Sequence, residues 1–600
     1  MPIRAIMEKK RVFGVNPMQR RIFLLLLAFS MGFLVLLIRL LYLQLIASGV
    51  LSGAKTGLAR GAVSQREHAL VLDAGRGHFY FRDASPITGE VGKGLAVFPV
   101  GDFRGEQAAA SIAQILKINR AAWSAFVDGL KAPKFWTAAY AKRPYLLSPE
   151  EAQALAGLKL PFLHVLPVTV RYPENMPAQH VIGFIAEDPD KNERSRQQVG
   201  ASGLERTFDA YLRGIGQEKA IIYTDGRNNP LQGLGLRISA PDNRYYPLKI
   251  ITTLDAGMQT IVEEALDEAQ VQEGAVVLLD AQNNDVLAMA SRPRFNPYSV
   301  DPADGKWQNR ALSATAPGSI FKTVIAAAAL DAHVVQPQEQ FFCGGELGKF
   351  HFSCWKKNGH GRINFAEAYA ESCNIVFANV AERLKPQQIV AAASAFGIGQ
   401  PIGWAGEQSG KVGTFRQFAG ENSGQVFDSK TVVDEGAMVQ TAIGQRDVRM
   451  TPLQGAFMVS VLLHGKNVNR PRIASEIRYA NGLLKEKFPY RRAALAGTPI
   501  SSAASQELLK DMQKVVATGT GAKLRKSAWK IAGKTGTAQV FSQGKEKTNQ
   551  WFVGYFPADK PRYIISVLIK NMPKQPANAA LHVTGMIVAD MAATSKTAIQ

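Results

Sequence analysis

Seventeen consecutive residues, Ile22 to Ile38, carry no charge, and after Arg39 the apolar pattern resumes as Leu40-Leu41-Tyr42-Leu43 to about Ile46. No other feature restricts the chain so strongly. A segment this apolar leaves water, and once hydrocarbon surrounds it every backbone N–H and C=O must be satisfied within the segment, which leaves a helix. At about 1.5 Å per residue, 22–46 reaches across a hydrocarbon layer about 30 Å thick, with Arg39 bent back toward the headgroups. The run exceeds the roughly 7–15 residues of a cleaved signal sequence, so a retained anchor is expected. Arg4, Lys9, Lys10, Arg11, Arg20 and Arg21 precede it against Glu8 alone. That bias predicts 1–21 as a cytoplasmic tail and everything beyond 46 as extracytoplasmic, a single-pass protein of the cell membrane.

The remainder reads as an ordinary folding chain. Of 600 residues, 46% are apolar and 20% charged, which excludes a disordered, collagen-like or many-span protein and suggests two to four domains. Lys plus Arg is 70 against 49 Asp plus Glu, a net charge of +21. That surplus suits an anionic neighbour (nucleic acid, phospholipid or a wall polymer), or serves solubility alone. Three cysteines are too few for a disulfide scaffold, so the core must be hydrophobic.

Beyond the anchor the texture divides near 246. Residues 47–245 mix short strand-like runs, Phe162 to Leu166 and Ala220 to Tyr223, with Pro/Gly/Asp/Asn turns and one helical stretch from Gly203 to Leu212. From 246 to 600 the patterns strengthen. Ile250 to Leu254 reads as a strand, Met258 to Gln270 as a helix, and Ala275–Asp280 with Val286–Ala290 as a β-hairpin.

Three short motifs lie in this second part. Ser319-Ile320-Phe321-Lys322 follows Pro317-Gly318 and opens an Ala-rich stretch, Thr323 to Leu330, that reads as a buried helix. Residues i and i+3 share a helix face, so Lys322 stands one turn above Ser319. A serine hydroxyl needs a base to become a nucleophile, and burial can lower a lysine pKa enough to supply one. Ser372-Cys373-Asn374 follows the helical Ala366–Ala370. Lys534-Thr535-Gly536-Thr537 is read as ending a strand at Ala528–Ala532, with strands Trp551–Tyr555 and Tyr563–Leu568 after it. Gly536 permits close backbone approach to a ligand, and a lysine beside it can hold a carboxylate. Singly, each motif is as easily a surface turn. In this order, on these elements, they form the serine acyltransferase signature of penicillin-binding proteins and class A β-lactamases.

At this point the chain resembles the class B penicillin-binding proteins, the monofunctional peptidoglycan transpeptidases, in an elongation- or sporulation-like subgroup. Further residues carry the resemblance: Leu287 to Pro293, Ala442-Ile443-Gly444-Gln445, Met450 to Gln454, and, earlier, Arg171-Tyr172-Pro173, His180 to Gly183 and Gly203-Leu204-Glu205. The family's Arg-Gly…Asp-Arg-Asn-Gly stretch is replaced here by Arg76-Gly77…Phe81-Arg82-Asp83-Ala84. The resemblance implies an α+β protein: one transmembrane helix, an elongated mixed α/β pedestal of the dimerisation type over 47–245, and a penicillin-binding transpeptidase domain over 246–600 with an antiparallel sheet packed between helices. It implies Ser319 as nucleophile, Lys322 as base, Ser372 as proton relay, Asn374 as substrate positioner, and Lys534, Thr535, Gly536 and Thr537 as the strand that binds substrate. The implied reaction cross-links stem peptides of lipid II-derived strands at D-Ala–D-Ala, without a catalytic cofactor and with β-lactams as inhibitors. Implied partners are the membrane, a glycan polymerase and other wall-synthesis proteins, not nucleic acid. A β-lactamase, a bifunctional glycosyltransferase and a non-enzymatic scaffold are the alternatives. The first lacks a reason for an anchor and pedestal, the second has no room before 246, and the third leaves Ser319, Lys322 and Lys534 without a purpose.

The cysteines fall at Cys343, Cys354 and Cys373, with His360 between the last two, a Cys-x10-Cys-x5-His-x12-Cys spacing. Three thiolates and one imidazole suffice for a closed tetrahedral zinc site, with His351 as a substitute ligand. The Trp355…Gly359-His360-Gly361 stretch also resembles elongation-type class B enzymes, some of which hold zinc at similar positions. A structural zinc, a disulfide between any two cysteines, and three free thiols all remain open readings of the spacing.

Overall fold

The computed structural model describes residues 17–46, 66–138, 142–188, 198–231, 233–349, 352–407, 413–430, 432–542, 544–573 and 578–597. Helix α1, Pro17–Leu41, runs on into a π-helical turn at Tyr42–Ile46. Within Pro17–Gln44 the most apolar 18-residue window has a mean hydropathy of 2.6 and buries nothing against the rest of the protein, as a candidate membrane anchor should. It begins earlier than the apolar run because Pro17 suits a first helical position, where its missing N–H leaves no bond unmade. Arg20 and Arg21 therefore lie inside the helix, while Arg4 to Arg11 lie outside the described residues.

The next portion holds two three-stranded antiparallel sheets and a two-stranded ribbon, Ile185–Glu187 with Gln198–Gly200. Glu67–Asp73 pairs with Glu218–Tyr223, which pairs with Arg237–Ser239. Glu90–Val97 lies between Lys134–Phe135 and Leu163–Val170. Three helices pack with them, Glu106–Ile115, Arg120–Asp128 and Pro149–Gly157, around a core that includes Phe98, Ile112, Trp123, Trp136 and Leu155. The expected helix over 203–212 is in fact two short pieces, Gly203–Thr207 and Asp209–Leu212. Phe208 breaks it, and its buried ring packs edge-on against Phe415 and Phe488 from far along the chain. Around this break the family-like residues meet. Glu205, wholly buried, accepts from Arg76 (2.8 Å), Arg171 Nε (2.6 Å) and the Tyr172 hydroxyl (3.1 Å). Arg76 also reaches Asp209 at 2.8 Å.

At the expected boundary the two portions share a sheet. Lys249–Thr252 runs parallel to His78–Tyr80 on one side and antiparallel to Ala474–Arg478 on the other, and Leu484–Lys487 closes the order.

The principal sheet has five strands: β1 Gly274–Asp280, β2 Val286–Arg292, β3 Ala532–Ser542, β4 Lys545–Phe556 and β5 Tyr563–Met572. Their order is β2-β1-β5-β4-β3, and each neighbour is antiparallel. Both faces are covered. Val276, Leu278 and Ile565 point into a core with α2 (Ala256–Glu268) and the C-terminal helix, Ala579–Thr597. Val277, Leu279 and Ile564 point into the opposite core with Pro452–His464 and Ser502–Ala517. Burial on both faces is why β1 reads as an unbroken apolar run rather than an alternating one.

One strand assignment is corrected. The Lys534-Thr535-Gly536-Thr537 motif does not end a strand at 528–532; it lies in the first half of β3, which starts at Ala532. Ala528–Ile531 precedes the sheet, held by Trp529 stacked on Phe556 and Tyr563.

Candidate active site

β3 is the edge of the five-stranded sheet, so its outer flank is open to another segment. A 3-10 turn at Gly318–Phe321 sits against that flank and leads into α3, Lys322–Asp331. Two glycines let them touch. A Cβ on Gly318, whose φ is +57°, would stand 2.4 Å from the Thr537 carbonyl oxygen, and a Cβ on Gly536 would stand 2.7 Å from the Pro317 oxygen. Trp551 on β4 fixes the approach by donating to the Ala316 carbonyl at 3.0 Å, and Asn549 donates to the Thr315 hydroxyl at 2.9 Å. Ser319 is thereby held, part-exposed, at the wall of a cleft of about 1090 Å³ that also takes in Ser372, Asn374, Thr535 and Thr537.

Lys322 lies under this cleft with no exposed surface. Its Nζ donates to the Ser372 carbonyl at 2.7 Å, to Asn374 Oδ1 at 2.8 Å and to Ser372 Oγ at 3.3 Å. Burial lowers its pKa to about 7, and the Cys373 and Cys354 sulfurs oppose the drop. Ser372 has φ +54°, left-handed backbone that a serine adopts at a cost of about 1–2 kcal/mol. The ammonium bound to its carbonyl and the first turn of α4, Asn374–Ala381, hold it there.

The second lysine sits differently from expectation. Lys534 is wholly buried below the floor, over the Tyr369 ring and 3.1 Å from the Thr535 carbonyl. Burial, then repulsion from Lys322, pulls its pKa well down. Thr535 faces the cleft, its hydroxyl 2.6 Å from that of Thr520. Gly536 works through the close approach just described, not through a side chain.

Behind Ser372, the sulfurs of Cys343, Cys354 and Cys373 and a ring nitrogen of His360 lie within 4.8 Å of one another. Cys343 ends the strand Gln340–Cys343, which pairs with Gly361–Asn364 just after His360, and Cys373 precedes α4. Cys354 Sγ is 3.6 Å from His360 Nδ1 and 4.0 Å from Cys373 Sγ, and all three cysteines are unbridged. Tetrahedral zinc with these ligands would set donors about 3.5–3.8 Å apart, so the residues fit that ion. The contact between Cys354 and Cys373 lowers the pKa of the first and raises that of the second, so the pair readily carries one thiolate, on Cys354. His351 lies outside the described residues.

The motifs did not reveal Thr520, the bracing pair Asn549 and Trp551, or the outer part of β3 and β4, where Gln539, Phe541, Glu546 and Thr548 also face the cleft. The last group has a legible signal, the period-two alternation that continues from Thr537.

Comparison with known proteins agrees with this geometry. Residues 274–593 match the penicillin binding protein transpeptidase domain, and residues 74–250 match the penicillin-binding protein dimerisation domain. Stage V sporulation protein D of Bacillus subtilis is 30% identical over 443 residues, 71% of this chain and 64% of that protein. Peptidoglycan D,D-transpeptidase MrdA of Acinetobacter baumannii is 29% identical over 446 residues, 67% of this chain and 63% of its own length. In each case the match spans less than two thirds of the relative. The penicillin-binding protein PBP2 from Helicobacter pylori shares the fold at a TM-score of 0.63 with 19% identity, over 88% of this chain and 99% of that one. With a dimerisation domain followed by a transpeptidase domain whose three motifs converge on one cleft, the chain belongs to the class B penicillin-binding proteins.

Proposed function

We propose that the protein is a membrane-anchored serine acyltransferase that cross-links peptidoglycan stem peptides, with α1 as its single span and the rest extracytoplasmic. The observation that carries this is the buried Lys322, lowered to a pKa of about 7 and hydrogen-bonded to Ser372 and Asn374 in the cleft that Ser319 lines. Neutral Lys322 takes the Ser319 proton as Oγ attacks the carbonyl of the penultimate D-Ala. The N–H groups of Ser319 and Thr537 stabilise the oxyanion. Ser372 passes the proton to the departing D-Ala amine, while Asn374 orients the donor amide. Thr535 and Thr537 hold the terminal carboxylate by hydrogen bonds, and Lys534 lies beneath them, bonded to the Thr535 carbonyl. An amine of a second stem peptide then attacks the acyl-enzyme, forms the cross-link and frees Ser319. A β-lactam follows the first half of this path and stops there. A glycan polymerase supplying the strands is the expected partner.

Cys343, Cys354, His360 and Cys373 are proposed to hold a structural zinc. The ion takes no part in the chemistry; its ligand Cys373 pins the loop whose neighbours, Ser372 and Asn374, face the substrate.

The test is covalent labelling of the full chain in detergent by a fluorescent penicillin, followed by peptide mapping. The adduct is expected on Ser319 and to release slowly. Label on another residue refutes the nucleophile, and rapid release refutes the transpeptidase in favour of a β-lactamase.

A further inference from the structure

Thr520 belongs to none of the three motifs. It lies in the loop after Ser502–Ala517 and lines the cleft beside Thr535. Gly519 lets this loop rest on the end of the helix Phe365–Ala370, since a Cβ there would stand 2.2 Å from the Ala370 carbonyl oxygen. The Thr520 N–H donates to the same oxygen at 3.2 Å. With its backbone so fixed, Thr520 brings its hydroxyl to 2.6 Å from that of Thr535, a close O–H···O separation, and to 3.5 Å from the Ala370 oxygen, a long one. Among the described residues Thr520 is the one hydrogen-bond partner of the Thr535 hydroxyl.

Counting hydrogens shows what the pair can do. Each hydroxyl has one hydrogen to give and two lone pairs to receive. If Thr535 donates to Thr520, its hydrogen is spent and it turns only lone pairs toward the cleft. If Thr520 donates to Thr535, the Thr535 hydrogen is free for an acceptor in the cleft. Lys534 has no exposed surface, so an acceptor at this end meets hydroxyls and not an ammonium. A carboxylate accepts and cannot donate, so it selects the second arrangement, a chain running from Thr520 through Thr535 to the carboxylate. The Ala370 oxygen then gives up only the long contact and keeps the Thr520 N–H. Donation into Thr535 also polarises its O–H and strengthens the bond that it gives. Resting on the acyl-transfer reading above, we propose that Thr520 is a positioning residue: it sets the Thr535 hydroxyl as a donor and so selects donors and inhibitors that present a carboxylate at this end of the cleft.

Benzylpenicillin and its methyl ester test this, since the ester keeps the reacting ring and lacks the charge. Second-order acylation rates are read by intact mass on the full chain in detergent. The acid is expected to react at least about tenfold faster than the ester, the worth of a hydrogen bond to a charged group. In Thr520→Val, which keeps the shape, the acid-to-ester ratio should fall about three- to tenfold, and Thr520→Ser should keep it. Thr520→Ala should lose the ratio in the same way, and replaces Thr520→Val if that chain does not fold. A residue that merely held the loop would slow acid and ester alike. An unchanged ratio in Thr520→Val or Thr520→Ala, or a ratio in Thr520→Ser as low as theirs, overturns the inference while leaving Ser319 chemistry standing. A parent ratio near one overturns it together with Thr535 as a carboxylate ligand. If neither compound acylates Ser319, the acyl-transfer reading fails and the role of Thr520 fails with it.

Discussion

The pH dependence of acylation gives the sharpest check on Lys322. Its Nζ is fully buried and makes its hydrogen bonds to three oxygen acceptors, and its pKa falls to about 7. The base is the neutral form, so acylation should rise as pH passes upward through that value. At pH 6 about one tenth of Lys322 is neutral and at pH 8 about nine tenths, so the rate should climb about tenfold and then level off by about pH 8.5. A lysine near its ordinary value of about 10.4 would behave otherwise: the same two pH units would give about 100-fold, with no plateau below pH 9. Acylation by a fluorescent penicillin, followed by rapid quench from pH 5.5 to 9.5 at constant ionic strength, separates the cases. A line of unit slope through pH 9, or a flat profile, would falsify the assignment of Lys322 as the base.

Ser319→Ala should give no covalent penicillin adduct by intact mass, with an unchanged circular dichroism spectrum; any adduct that persists removes Ser319 from its role. Lys322→Ala should slow acylation at least about 100-fold, and an unaltered rate excludes general-base action by that side chain. Protein purified without chelator should carry about one zinc per chain, and Cys354→Ser should lose both the metal and thermal stability; metal-free parent protein would dispose of the zinc. Glu205→Ala strands Arg171 and half-strands Arg76 in the interior, and should lower stability by about 3–5 kcal/mol, read as a fall in the thermal midpoint. A midpoint within error of the parent would show that Asp209 and water compensate.

What could be read from the sequence depended on whether the signal was local. The anchor, the β1–β2 hairpin and α3 declare themselves through unbroken or periodic apolar runs. The reactive-site motifs are legible because their chemistry needs fixed residue types at short spacing. Phe208 was not legible as a helix breaker, because its ring packs into an aromatic pocket built from Phe415 and Phe488, both more than 200 positions away in sequence. The start of β3 was misplaced for a similar reason: Trp529 has strand-like neighbours, but its ring stacks below the sheet. The helix Pro149–Gly157 did carry a local signal, a capping box between Ser148 and Glu151 with Pro149 at the first turn. Lys534 is the subtler case. Its place in the motif suggested a hand on the substrate, whereas it is wholly buried and bonded to the Thr535 carbonyl.

The sheet shared across the boundary near 246 has a consequence for biogenesis. Lys249–Thr252 can pair with His78–Tyr80 as soon as both have been synthesised, but its other neighbour, Ala474–Arg478, emerges far later; Thr253 bonds Arg472 across 219 positions. At roughly 5–20 residues per second, that is a delay of about 10–45 s in which a strand edge stands bare while synthesis continues. During that interval the growing chain is at its most prone to pair with a neighbour, so a holdase chaperone should associate with nascent forms ending before about residue 474, and a stop codon in this interval should yield aggregates rather than a stable pedestal.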